Sequence, residues 1–393
     1  MAAAASSSSQ QQIRPLVGAA AFLAVWCLVV GTARSSSSMQ MQCHEEDQEA
    51  LLAVNSALGS PYHFASWTPD TFCCDWYDVD CDNTTGRVVG LTVLGDGNLT
   101  GAIPDAIANL TNLRTLVLRH LPGLTGNIPD SLALLSNLSQ LTISSTGVSG
   151  PVPEFLSQLT ELTMLDLSFN SFEGTIPASL ADLPSLSTID LSRNRLSGPV
   201  PSLLLTKCCT DDQQAAYLRL SHNNFSGAIP AGFAAVSFAH LDLSRNAFTG
   251  DASGVLGKGK PLQHLDLSRN GFAFSLTAVE LPEQLSYMDL SHNAIRGRIP
   301  AQVADLAGLQ LFNVSYNKMC GVVPTGGNMD KFDAYSYQHN KCLCGTPLPS
   351  CGHPLTTSHK IDTRGLRLSH VTSAHKPSDD VATYLVDFST LQC

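Results

Sequence analysis

The sequence predicts an α/β solenoid: a right-handed superhelix of about ten repeats, with a concave parallel β-sheet and a disulfide-closed cap at each end. Three observations carry that expectation. Apolar-polar-apolar triplets recur from Leu91 to Phe312 at offsets of 25, 25, 24, 24, 29, 23, 24, 23 and 24 residues. Asparagine returns at the turn after seven of them, and four cysteines stand before the recurrence and four behind it. A chain of 393 residues would otherwise suggest two or three domains, but units of this period are each too small to bury an apolar face and must stack, which makes one elongated domain.

The elements follow in chain order. Residues 1–34 read as a signal peptide, cleaved anywhere up to residue 42: Arg14 gives a positive start, Leu16 to Val30 an apolar stretch of fifteen residues, and Gly31, Thr32 and Ala33 small residues for cleavage. That stretch is short for a membrane span and nothing later is longer, so the mature chain is read as having none. Residues 43–88 form an N-terminal cysteine cap with Cys43, Cys73, Cys74 and Cys81. Residues 325–351 form a C-terminal cap behind Cys320, with Cys342, Cys344 and Cys351. Eleven of the twelve cysteines lie beyond the leader, which fits an oxidising compartment. Six N-x-Ser/Thr sequons, at Asn83, Asn98, Asn109, Asn137, Asn224 and Asn313, mark a glycoprotein.

Residues 89–324 hold the ten repeats. In each triplet, alternation places one face of a short strand inward, and the inner positions run Leu91, Leu116, Leu141, Leu165, Ile189, Leu218, Leu241, Leu265, Met288 and Phe312. Asn170, Asn194, Asn223, Asn246, Asn270, Asn293 and Asn317 follow, where an inward amide can satisfy backbone groups left by the turn. Eight units then continue as LxGxIP or a close variant, glycine permitting the bend and proline fixing the entry to the convex side. The first three repeats carry insertions or lack the asparagine and should have a less regular concave edge. The seventh and eighth lack the proline and should have a poorer second strand. Residues 352–393 have no repeat signature; this polar tail is either disordered or an extension that changes function.

These LxGxIP motifs resemble those of the plant-type extracellular leucine-rich repeat family over residues 43–351. The string Phe72 to Cys81, the cap cysteine spacings and the ten repeats without a membrane span are similar to the polygalacturonase-inhibiting proteins of plants. That resemblance implies the disulfides Cys43 to Cys73, Cys74 to Cys81, Cys320 to Cys342 and Cys344 to Cys351. It leaves Cys208, Cys209 and Cys393 unassigned. It further implies a secreted, monomeric, rigid cell-wall protein whose partner is a fungal endopolygalacturonase, bound through the concave face with its pectin cleft blocked, in plant defence.

The concave columns supply candidate contacts. The middle column reads Asp166, Asp190, Arg219, Asp242, Asp266, Asp289 and Asn313. Next comes an almost all-serine column, read as outward-facing, and beyond it Phe169, Arg193, His222, Arg245, Arg269, His292 and Tyr316. Tyr217, His264 and Tyr287 flank the acids on the other side. Carboxylates stacked about 4.8 Å apart repel, which raises pKa values and favours a basic partner. Exposed aromatics and arginines are typical interface anchors. The aspartates are equally readable as a default of the repeat. A net charge of -11 argues against nucleic-acid binding. His240 with Asp242 and Ser244 shares one face, as does His264 with Asp266 and Ser268, but residues two apart on a strand are expected beyond hydrogen-bond reach of one another. With no HExxH string or phosphate loop, no catalytic residue, metal or cofactor is assigned. Two alternatives stand beside the inhibitor: a ligand-binding partner of a membrane receptor in signalling or development, and a wall protein holding pectin through Arg193, Arg245 and Arg269.

Overall fold

The computed structural model describes residues 43–210 and 214–352. The expected signal peptide and nearly all of the expected tail, with Cys393, lie outside these residues. Ten parallel strands build the concave sheet: Val88–Leu94, Thr115–Gly126, Gln140–Pro151, Met164–Asp166, Thr188–Asp190, Ala216–Arg219, Phe238–Asp242, His264–Asp266, Tyr287–Asp289 and Leu311–Asn313. Their register places the ten inner residues from Leu91 to Phe312 in one row. Each of these is at most 1% exposed, so the row is the spine of a continuous core. Behind it the Phe225, Phe248 and Phe272 rings stack at 6.1 and 6.0 Å, filling three successive coils with one side-chain type.

The asparagines join coil to coil. The Asn194 Nδ2 donates to the Leu167 carbonyl one coil back and to Leu191 in its own coil, while its Oδ1 accepts from the Phe172 N–H. The same pattern recurs at Asn223, Asn246, Asn270, Asn293 and Asn317. One amide thus satisfies several backbone groups that the turn would leave unpaired in the interior. Past the turn, the glycine of each motif takes a positive φ. At Gly150, φ is 89°, a left-handed conformation that favours glycine. The convex side carries 3₁₀ turns, among them Asp105–Asn109, Asp130–Leu134 and Glu154–Gln158, each starting after its motif proline.

The two expectations of irregularity hold in part. The first repeat breaks between Val88–Leu94 and Thr100–Ala102, whereas Thr115–Gly126 and Gln140–Pro151 run through the turn as strands of 12 residues each. The insertion at 121–123 is absorbed as a register shift between Leu121 and Thr125. Thr146, standing where later repeats have asparagine, holds its turn by donating its hydroxyl and N–H to the Asn170 Oδ1, at 2.6 and 3.0 Å. The seventh repeat, though without its proline, still forms Ala247–Gly250, which pairs with Asn224–Ala228. The eighth is reduced to Gly271–Phe272, but so is the ninth, to Arg296–Gly297, although it keeps its proline.

At the N-terminal end, the helix Glu45–Ala57 and the strand Val79–Cys81 close the solenoid, the latter pairing antiparallel with Val88–Leu94 and covering its edge. Disulfides join Cys43 to Cys73 and Cys74 to Cys81. At the far end Cys320 joins Cys342 and Cys344 joins Cys351, with Cys342–Cys344 added beside Lys318–Val322. Cys208 and Cys209 bond to each other. The C-terminal cap also makes an eleventh coil: the Asn340 Nδ2 donates to Val314 and Tyr337, and its Oδ1 accepts from the Met319 N–H.

Candidate functional site

The sheet sets four columns on the concave side. In the first, Tyr217, His240, His264 and Tyr287 lie in register. Their rings form a ladder, with His240 to His264 and His264 to Tyr287 centroids each 4.0 Å apart and Tyr217 to His240 at 6.4 Å. Burial depresses both imidazoles, His240 to about 4, with neighbouring His264 and Arg219 adding to the shift. The ladder is therefore uncharged at neutral pH. Burial also lifts the Tyr287 hydroxyl to about 12.

The second column places Asp166, Asp190, Arg219, Asp242, Asp266, Asp289 and Asn313 side by side. Each of Asp166, Asp190, Asp242, Asp266 and Asp289 accepts the N–H of the serine two residues on, at 2.8 to 3.0 Å, and Asn313 does the same for Ser315. These side chains shape the strand end as well as face the groove. Asp242 is only 9% exposed, and burial raises the Asp190 and Asp266 carboxyls, the latter to about 6. Desolvation is the leading cause at Asp266, with repulsion from Asp242 and Asp289 a smaller contribution, which revises the sequence-based account of the shift. Arg219 pairs with Asp190 at 3.3 Å.

The serine column stands on the concave side as expected but is little exposed: Ser168, Ser192, Ser221, Ser244, Ser268, Ser291 and Ser315 are all buried, and all but Ser168 line the concave groove. Ser244 also corrects the expected reach, since its hydroxyl donates to the Asp242 Oδ1 at 2.7 Å. No triad results: His240 stacks on His264, and its Nε2 has no hydrogen-bond partner.

In the fourth column Phe169, Arg193, His222, Arg245, Arg269, His292 and Tyr316 all adopt the left-handed backbone, with φ of 54 to 57°. Bulky residues rarely hold this conformation, and here the N–H of each donates to the next coil, as Arg193 does to the Ser221 carbonyl at 2.8 Å. Their side chains are thereby presented at the rim. The Arg193 guanidinium lies 4.9 Å from the Phe169 ring centroid, and His292, Tyr316 and His339 stack at 4.1 Å spacings.

A groove of about 420 Å³ runs between these columns. It gathers Phe169, Arg193, Arg219, His222, Asp242, Arg245, Asp266, Arg269, Tyr287, Asp289 and His292. Asp166, Asp190, Tyr217, His264 and Tyr316 belong to the same columns but lie outside its lining. Two ring members were missed as contacts in the sequence. His240 was weighed only as a triad member, and His339 sits in the unrecognised eleventh coil, although the 23-residue offset from Asn317 to Asn340 would have revealed it.

The chain is a leucine-rich repeat protein: it matches models of the leucine rich repeat N-terminal domain over residues 44–82 and of the leucine rich repeat over 136–196 and 216–235. It is 48% identical to polygalacturonase inhibitor 1 of Arabidopsis thaliana over 311 residues, covering 79% of this chain and 92% of that one. It is 47% identical to the polygalacturonase inhibitor of Pyrus communis over 323 residues, with the same coverage. Among solved structures, a plant ice-binding protein superposes with a TM-score of 0.76 at 43% identity, over 80% of this chain and 99% of that one. The chain belongs to the plant polygalacturonase inhibitor family. No helix of the described residues is long and apolar enough to cross a membrane.

Proposed function

We propose that the concave groove binds a fungal endopolygalacturonase and blocks its pectin cleft, and that the protein acts as a secreted, monomeric inhibitor in the cell wall. The observation that carries this reading is the groove itself: one rigid sheet presents aromatic rings, four arginines and three aspartates in fixed columns. Such a surface meets a folded protein without the cost of ordering loops. Glycans at Asn83, Asn98, Asn109, Asn137 and Asn224, all exposed, would leave the groove clear; Asn313 lies inside it. The reading is of a binding protein, not an enzyme. A reducing-sugar assay of a fungal endopolygalacturonase panel on polygalacturonic acid, with and without the secreted protein, tests it. Dose-dependent inhibition is expected, and none across the panel would reject it.

The arginine column favours a second reading. Arg193, Arg245 and Arg269 are exposed at the rim while the aspartates beside them are half-buried or buried, so a polyanion such as pectin would meet the cations first. Retention on immobilised pectin that is lost with R245E and R269E, without enzyme inhibition, would select this reading.

A further inference from the structure

The groove is less acidic than its aspartates suggest. Arg193, Arg219, Arg245 and Arg269 line it with exposed side chains, whereas each lining carboxylate has one oxygen tied to a serine N–H. Among the described residues, Arg219 alone of the four has a carboxylate within ion-pair distance. Three guanidiniums along one rim thus await an anionic, extended occupant.

The chain itself encodes one. Residues 377–393 contain Asp379, Asp380 and Asp387, no Lys, Arg or His, and the aromatics Tyr384 and Phe388. They follow 24 residues, 353–376, that begin where the C-terminal cap ends. At about 3.3 Å per residue that length reaches at most ~80 Å. The coil of His339 is six strands from that of Arg193, roughly 29 Å at about 4.8 Å per strand. We infer that the acidic segment 377–393 docks in the concave groove of its own chain, its aspartates on the arginine rim and its rings against the groove's aromatic side chains, and competes there with any external partner. Tethering makes the contact intramolecular, so even a weak intrinsic affinity suffices to occupy the groove. Inhibition of a polygalacturonase would then be tuned by the tail, a consequence that rests on the function proposed above; the docking itself does not.

The test uses a fluorescein-labelled peptide of residues 377–393, with Cys393→Ser, and two full-length proteins: the native chain and one carrying D379K, D380K and D387K. By anisotropy at low salt, the variant should bind the peptide with a Kd in the micromolar range, and the native chain roughly ten-fold more weakly because its own segment competes. Adding R245E and R269E to the variant should weaken binding at least ~10-fold. Thermal melting checks that these exposed substitutions leave the fold intact, and raised salt on the unmodified groove should weaken binding independently of them. Equal affinity of the two chains, no binding up to about 1 mM, or binding indifferent to salt and to both arginines would overturn the inference. Peptide binding as stated with no polygalacturonase inhibited by either chain would sink the inhibitor reading and leave the docking in place. Inhibition without peptide binding would do the reverse.

Discussion

The His240 and His264 imidazoles stack in parallel, their centroids 4.0 Å apart and their planes 6° from alignment. Burial and mutual proximity depress His240 to about 4. The unfolded chain, with an ordinary imidazole near 6.5, therefore binds more protons than the fold between those values, and stability contributed by the neutral ladder is lost as pH falls from about 6.5 toward 4. Asp266, raised to about 6, acts in the opposite direction, since the fold binds its proton more tightly than the unfolded chain and gains stability as pH falls from about 6. H240F keeps a stacked ring and removes one of the two slopes. Urea unfolding at pH 5 and pH 7 should show the variant less destabilised by acid than the native protein; an unchanged pH difference would mean that His240 does not titrate in this range.

Asn194 has a counterpart test in the fold. N194A removes the acceptor of the Phe172 N–H and the donor to the Leu167 and Leu191 carbonyls. An unpaired buried backbone group costs about 1–3 kcal/mol, so the substitution should cost roughly 2–4 kcal/mol and lower the melting temperature by several degrees. Because each coil leans on its neighbours, the loss should be similar for N270A in another repeat. A shift within error at both positions would mean that water takes over the bonds.

Most of the fold was legible because its determinants are periodic. An apolar residue every 23 to 29 residues announces an inward position whatever its neighbours do, and the observed register joins those residues directly. What escaped is what periodicity does not encode. Serines two residues past the aspartates stand on the concave side as their alternation suggests, yet they are buried there, which alternation alone does not tell. Asp242 reads as a surface charge from its place in the strand, whereas its burial depends on stacked neighbours from two other coils. The eleventh coil was hidden because Tyr337, not leucine, occupies the inner position before Asn340.

Asp242 and Asp266 separate the turn role from the contact role. Asn313 occupies the same column and accepts the Ser315 N–H and hydroxyl just as Asp242 accepts those of Ser244. D242N with D266N therefore keeps the turn bonds while removing charge. Melting should change by less than about 0.5 kcal/mol equivalent, and inhibition of a responsive polygalacturonase should weaken roughly ten-fold at low ionic strength and less at high. Inhibition unchanged at both salts would assign these carboxylates to the strand end alone.

The N-terminal cap hangs on Asp47. It is fully buried in the helix Glu45–Ala57, and its carboxylate accepts from the Arg87 Nε and Nη2 at 2.9 and 2.8 Å and from the Val88 N–H at 2.7 Å. Arg87 and Val88 lead directly into the first concave strand, so this one carboxylate ties the cap helix to the solenoid. D47A would leave a guanidinium and an N–H without their acceptor, and removing one partner of a buried pair costs about 3–5 kcal/mol. D47N keeps an acceptor for Val88 but loses the paired charge, and should cost less. The expected order of stability by thermal melting is native, D47N, D47A, with reduced secretion of the last. Hydrogen exchange should place the loss in residues 43–94, leaving the repeats beyond Thr115 protected; uniform loss along the solenoid would show instead that the cap and the repeats unfold as one unit.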